Sequence, residues 1–131
     1  MTEGADRGAR ERLFAVRGAA QASANSAPAI LIAAAELIKA LIERNGLSPE
    51  AMVSCLFTAT NDLDQEFPAV AARNLGLGSV PLLCAREIDV PGSMPRVIRV
   101  MIHYYAGADH RPIHAYLGTT TKLRADLAAA Q

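Results

Sequence analysis

The sequence predicts an α+β fold, a mixed β-sheet with helices packed on it, from three observations. One long stretch, 28–44, repeats apolar residues at helical spacing, with Glu36, Lys39 and Glu43 gathered on the opposite side. Five shorter runs, 12–17, 52–58, 80–88, 96–105 and 114–117, are apolar or alternate as strands do. A second, shorter helical segment falls between the second and third of these. The resulting order is β-α-β-α-β-β-β, and helices on one sheet face satisfy both amphipathic patterns. The other sheet face also carries apolar residues and needs a cover, for which a neighbouring subunit is a candidate.

Each element has a local reason. Residues 1–11 are polar and Gly-containing and read as a disordered lead; 12–127 form the domain, and 128–131 read as a flexible tail. Leu13, Ala15 and Arg17 alternate with Phe14 and Val16 in the first strand, closed by Gly18, and the small, polar residues 20–26 read as a loop. Asn25 or Ser26 can cap the long helix, Pro28 suits its first turn, and Asn45-Gly46 suits its end. Phe67-Pro68 opens the second helix, 69–75, which Gly76 and Gly78 stop. Pro91-Gly92 is a turn before the longest strand, and 119–131 is Ala-rich with helical composition.

The composition narrows the function. At 131 residues, half of them apolar and none of them Trp, the chain fits one domain with an aliphatic core. Basic and acidic residues number 13 each, which argues against a nucleic-acid binder. Cys55 and Cys84 both sit in apolar runs with no CxxC and no secretory signal before them, as in a reduced, cytoplasmic protein. The longest apolar stretch, 27–42, contains Glu36 and Lys39 and is poor material for a membrane span.

Arg99 is the most informative position. It interrupts Val97-Ile98-Arg99-Val100-Met101-Ile102, so both faces of its strand are apolar and the guanidinium is expected in a low-dielectric place. An unpaired buried ion costs roughly several kcal/mol. Arg99 therefore needs an anionic partner, a carboxylate of the protein or a ligand, unless it lies exposed at an edge. Arg17 ends the predicted first strand, and Gly18 after it permits a sharp departure and close approach of another group. Glu87, near the end of an apolar strand, can pair with arginine, accept a ligand hydroxyl or face water. Arg73 alone reads as a solvated helix residue, and Cys84 alone as a core residue. His103, His110 and His114 lack the companions of a metal set, and no glycine-rich phosphate loop or nucleophile elbow is present.

Several stretches together resemble one family. They are Val16-Arg17-Gly18-Ala19, Ala59-Thr60-Asn61-Asp62-Leu63, Phe67-Pro68-Ala69 with Arg73, Val80-Pro81 followed by Cys84 and Glu87, Asp89-Val90, 96–101, Tyr116-Leu117 and Leu123-Arg124. This looks like the AroH-class monofunctional chorismate mutases, over about 14–126. The resemblance implies a homotrimer of pseudo-α/β-barrel form with active sites between subunits. It also implies no metal or organic cofactor, and chorismate as the small-molecule substrate.

By that resemblance Arg99 is the central catalytic cation, Arg17 holds the substrate's side-chain carboxylate with help from Tyr116, and Glu87 engages the ring hydroxyl with Cys84 beside it. Leu82 and Leu83, next to Cys84, also contribute to substrate binding. Phe67, Ala69 and Arg73 come from the adjoining chain, while Leu123 and Arg124 close the pocket. Two positions depart from the pattern: Val70 stands where the family has lysine, and Leu83 where a polar residue is common. Cys84 and Glu87, three apart, share a site only if their strand bends or ends between them. Two other functions compete with this reading: a reactive-intermediate deaminase on a similar trimeric fold, and a non-catalytic trimer that binds carboxylates.

Overall fold

The computed structural model describes residues 10–123. Its elements are β1 (Glu11–Gln21), α1 (Ala27–Asn45), β2 (Met52–Ala59), α2 (Ala69–Asn74), β3 (Leu82–Arg86), β4 (Val97–Gly107) and β5 (Ala115–Tyr116). The strands form one mixed sheet in the order β3-β2-β4-β1-β5. β4 is antiparallel to both β1 and β2, whereas β3 and β5 join the outer sides as parallel strands. This is the predicted α+β architecture in the predicted order.

The long helix forms where its caps direct. The Ser26 hydroxyl accepts from the Ala29 N–H at 3.2 Å, Pro28 lies in the first turn, and Gly46 closes the helix in the left-handed region with its N–H on the Ile42 carbonyl. Its buried face, with Ile30, Leu37, Ile38 and Leu41, packs on Val16, Phe57, Ile98 and Ile102 of the sheet. The small residues Ala69, Ala71 and Ala72 bring α2 against the same core.

Several boundaries differ from the sequence reading, most by one or two residues and most informatively in the first and third strands. β1 begins one residue early and does not stop at Gly18 but runs to Gln21, because the long β4 pairs with it from Glu11↔Gly107 to Gln21↔Val97. Arg17 is thus a mid-strand residue. Gly18 marks close approach and not a departure: a Cβ there would lie 2.2 Å from the Ala115 carbonyl oxygen and 2.8 Å from Leu37 Cδ1. Its bareness lets β5 pair and α1 settle at one point. The third strand is shorter than 80–88. Pro81 has no N–H to give, its carbonyl accepts from Cys55, and the ladder of β3 starts at Leu82.

Register decides what faces where. Arg99 lies opposite Ala19 on β1 and opposite Thr58 on β2; Arg17 lies opposite Met101, and Thr58 opposite Ala85. Alternation puts all of these on the face turned away from the helices. Leu13, Leu56, Leu83 and Tyr105 share that face and are exposed. Residues 1–9 and 124–131, which include most of the predicted lead and the predicted tail, lie outside the described residues.

Candidate active site

Among the described residues, the open sheet face carries one close ion pair. Arg99 Nε lies 2.7 Å from Glu87 Oε2. The same oxygen accepts a hydrogen bond from the Thr58 hydroxyl at 2.6 Å. The backbone prepares this meeting. β3 ends at Arg86, but the Glu87 N–H still donates to the Ala59 carbonyl at 3.0 Å, which carries the β2–β3 pairing one residue further. Glu87 therefore keeps the orientation of Leu83 and Ala85, toward Arg99. The pair lines a pocket of about 430 Å³ with Thr60, Gly92, Ser93, Met94, Lys122 and Leu123.

Arg99 is not sealed in a low-dielectric interior, as the apolar strand suggested. Its side chain is 38% exposed and that of Glu87 18%, because the described residues cover this face only at its Ala19–Val97 end. Of the two partners left open for Arg99, the internal carboxylate is present, and the pair still opens on a cavity.

Beside the pocket a strained backbone position is held by hydrogen bonds. Arg96, just before β4, has φ of 54°, the left-handed region that costs a non-glycine residue about 1–3 kcal/mol. Its N–H donates to the Asp62 carboxylate at 3.0 Å, its Nε donates to the Ala22 carbonyl at 2.9 Å, and its own carbonyl accepts from the Ala22 N–H at 2.8 Å. The Thr60 hydroxyl donates to Asp62 and accepts from the Val97 N–H at 3.0 Å. These contacts fix the entry of β4 and so the height of Arg99 on the sheet.

The remaining expected residues divide by face. Arg17 is on the face of Arg99, diagonal to it across β1 and β4, a spacing of about 7–8 Å. It lines a shallow depression with Met101 and His114, and its N–H donates to His114 Nδ1 at 3.1 Å. Tyr116, paired beside Ala19, is buried in a small cluster with Ala19 and Val97, against which Met94 and Leu123 pack. Leu123 thus joins the pocket to that cluster. Leu83 is exposed on the open face.

Leu82 and Cys84 point to the helix side, where Cys84 lines a separate groove of about 410 Å³ with Leu63, Phe67, Pro68 and Arg86. Within one chain Cys84 does not stand beside Glu87: the strand stays straight through Ala85, and alternation sends the two apart. Phe67 and Arg73 are exposed, Ala69 is buried in α2, and Arg124 lies outside the described residues.

Sequence reading missed Thr58, Thr60, Ser93, Met94 and Lys122. Thr58 left one signal, a polar residue at the end of the largely apolar run 52–58. Lys122 left none. The histidines are dispersed: His103 Nδ1 meets the Ser54 hydroxyl at 3.1 Å, and His110 Nε2 meets the buried Tyr104 hydroxyl at 2.6 Å.

An α+β domain that sets an arginine and a carboxylate in an open pocket belongs to the class of proteins able to bind a small polar ligand there. Comparison with known proteins gives the family. The family model "Chorismate mutase type I" matches residues 13–127. The AroH chorismate mutase of Thermus thermophilus is 44% identical over 118 residues, 88% of this chain and 97% of that protein. That of Bacillus subtilis is 38% identical over 114 residues, 86% of this chain and 90% of that protein. A solved chorismate mutase from Clostridium thermocellum superposes with a TM-score of 0.78 at 43% identity, covering 83% of this chain and 98% of that one. The chain belongs to the type I chorismate mutase family and is an isomerase with chorismate mutase function. The deaminase and the non-catalytic carboxylate binder gain no support from these comparisons.

Proposed function

We propose that the Arg99 pocket is where chorismate is rearranged to prephenate, a step of phenylalanine and tyrosine synthesis, in the cytoplasm. The observation that carries this assignment is the Arg99 guanidinium held by Glu87 through Nε in an open pocket. The reaction is unimolecular: one C–O bond breaks as one C–C bond forms, with no proton transfer and no covalent intermediate on the enzyme. Catalysis needs a compact conformer held in place and positive charge beside the ether oxygen as electrons gather there. Arg99 supplies a planar fork that donates to that oxygen and a carboxylate together, which a lysine ammonium cannot copy. Glu87 accepts from the ring hydroxyl. Arg17 and the Tyr116 hydroxyl bind the side-chain carboxylate.

The active form we propose is a homotrimer with the pockets between subunits. The exposed Leu13, Leu56, Leu83 and Tyr105 on the uncovered sheet face support this assembly. The adjoining chain brings Phe67, Ala69 and Arg73 to the mouth, Cys84 with Leu82 and Leu83 lies along the shared edge, and Leu123 and Arg124 close over the ligand.

Loss of chorismate absorbance with purified protein tests the activity. Arg99→Ala is expected to lose about 3 kcal/mol or more of transition-state stabilisation, as when an oxyanion donor is removed. A folded variant with near-normal turnover would take Arg99 out of the mechanism. Mass in solution tests the assembly: a single-chain mass for fully active protein rules out pockets built between subunits.

A further inference from the structure

We infer that Thr58 is a positioning residue for the reaction, acting through Glu87 to keep the Arg99 fork open. This rests on the assignment of the Arg99 pocket as the site of the rearrangement. Three facts support it. Thr58 lies on β2 directly opposite Arg99, so the hydroxyl and the guanidinium rise from the same level of one sheet face. Both reach the same atom: Thr58 Oγ1 donates to Glu87 Oε2 at 2.6 Å, and Arg99 Nε approaches that oxygen at 2.7 Å. The Glu87 backbone is fixed next door, by its N–H on the carbonyl of Ala59, so the side chain is aimed from two sides by consecutive residues of β2.

The chemistry gives this arrangement a purpose. A carboxylate beside a guanidinium tends to form two parallel hydrogen bonds, one to each oxygen. That geometry would occupy both the donor edge of Arg99 and both oxygens of Glu87 with each other. The Thr58 hydroxyl competes for Oε2 with a short, charge-assisted bond and turns the carboxylate so that arginine meets it through Nε. The terminal guanidinium nitrogens then serve the ether oxygen and a substrate carboxylate, and Oε1 serves the ring hydroxyl. Thr58 itself touches none of the reacting atoms.

The test is steady-state kinetics of Thr58→Val, which keeps the shape and removes the donor, beside Thr58→Ser, which keeps the donor and removes the methyl. Thr58→Val is expected to lose about tenfold in kcat with KM changed less than about threefold, and Thr58→Ser to stay within about threefold of the parent in both. In a Glu87→Gln background the cost of Thr58→Val should shrink to less than about threefold, because the group that Thr58 aims is no longer a carboxylate. Equal losses in Thr58→Val and Thr58→Ser would reassign the residue to packing, and a normal Thr58→Val would remove it from the mechanism.

Should Thr58→Val fail to fold by circular dichroism, Thr58→Ala replaces it with the same expectation. Arg99→Ala and Glu87→Gln on their own separate the two levels of the argument. If both retain parental rates, the pocket assignment falls. If both are crippled while Thr58→Val is normal, only the positioning role falls.

Discussion

The two faces of the sheet are made by the same strands and differ in almost everything else. On the helix side, Val16, Phe57, Ile98, Val100 and Ile102 are at most 2% exposed. One residue along each strand, on the other side, stand Arg17, Thr58, Arg99 and Met101, all only partly buried. A strand with period two lets one segment serve two requirements without compromise. The even positions 98 to 104 of β4 are committed to packing, while on the odd side Val97 packs with Ala19 and Tyr116 and Arg99 carries charge beside the pocket. Residues that hold the fold and residues that face the pocket thus alternate along the same strands, which predicts that stability and activity can be altered separately at neighbouring positions.

The largest expected effects test that separation directly. Phe57→Ala removes a fully buried ring from the helix side and is expected to cost about 3–5 kcal/mol of folding stability. Denaturant titration reads it, and the fraction that remains folded should rearrange chorismate at the parental rate per site. Arg99→Ala is the mirror case: the activity loss of about 3 kcal/mol should come with a stability change below about 1 kcal/mol, since the side chain is partly solvated and its salt bridge is not sealed. Two variants that lose stability and activity in the same proportion would erase the distinction between the faces.

How much of this was legible in the sequence follows the same division. The helix side was readable because its signals are local and periodic: the apolar spacing of 28–44, the Ser26 and Gly46 caps, and the alternation around Arg99 all give the right element at nearly the right place. Boundaries failed where a partner strand decides them. Nothing local in Ala19-Ala20-Gln21 announces a strand; β4 makes it one by pairing. The site was legible in its extremes, the charged Arg99 and Glu87, since a charge in an apolar run demands an explanation. It was not legible in Thr58 or Lys122, whose place depends on register and on how the chain returns after β5. Cys84 shows the limit from the other side. The resemblance put it beside Glu87, and within one chain strand alternation puts it in the groove with Phe67.

The cysteines sharpen the comparison within the helix side itself. Cys55 and Cys84 are on adjacent strands and face the same way, but Cys55 is at the centre and fully buried, and Cys84 is at the edge. Burial, with a smaller contribution from the nearby Cys84, pushes the Cys55 thiol up to about 12. At pH 8 roughly one thiol in ten thousand is then ionised, and only the thiolate reacts. In folded protein Cys55 should stay unmodified by iodoacetamide and become reactive on denaturation, as read by peptide mass spectrometry. Native labelling at the denatured rate would mean that the centre of the covered face is open.

The smallest expected effect lies at the rim, in the groove that runs past Phe67. Asp64 exchanges hydrogen bonds with Asn25: the Asn25 amide donates to Asp64 Oδ1 at 2.8 Å, and the Asp64 N–H donates to Asn25 Oδ1 at 3.0 Å. Gln65 donates to the same carboxylate oxygen at 2.9 Å. These donors, Asn25 foremost, hold the Asp64 carboxyl below its ordinary 3.8. A carboxyl lowered in the folded state binds its proton more readily when unfolded. Its stabilisation is therefore present above 3.8 and is lost as pH falls through the lower folded value.

Asn25→Ala should return the Asp64 titration toward 3.8, measured by carboxyl-carbon NMR, and should flatten the acid side of the stability profile slightly. Because Asp64 is solvated, chorismate turnover at neutral pH should not change. A large loss of turnover would show that the Asn25–Asp64 link holds the Phe67 segment for catalysis, and the rim would then belong with the open face and not with the core.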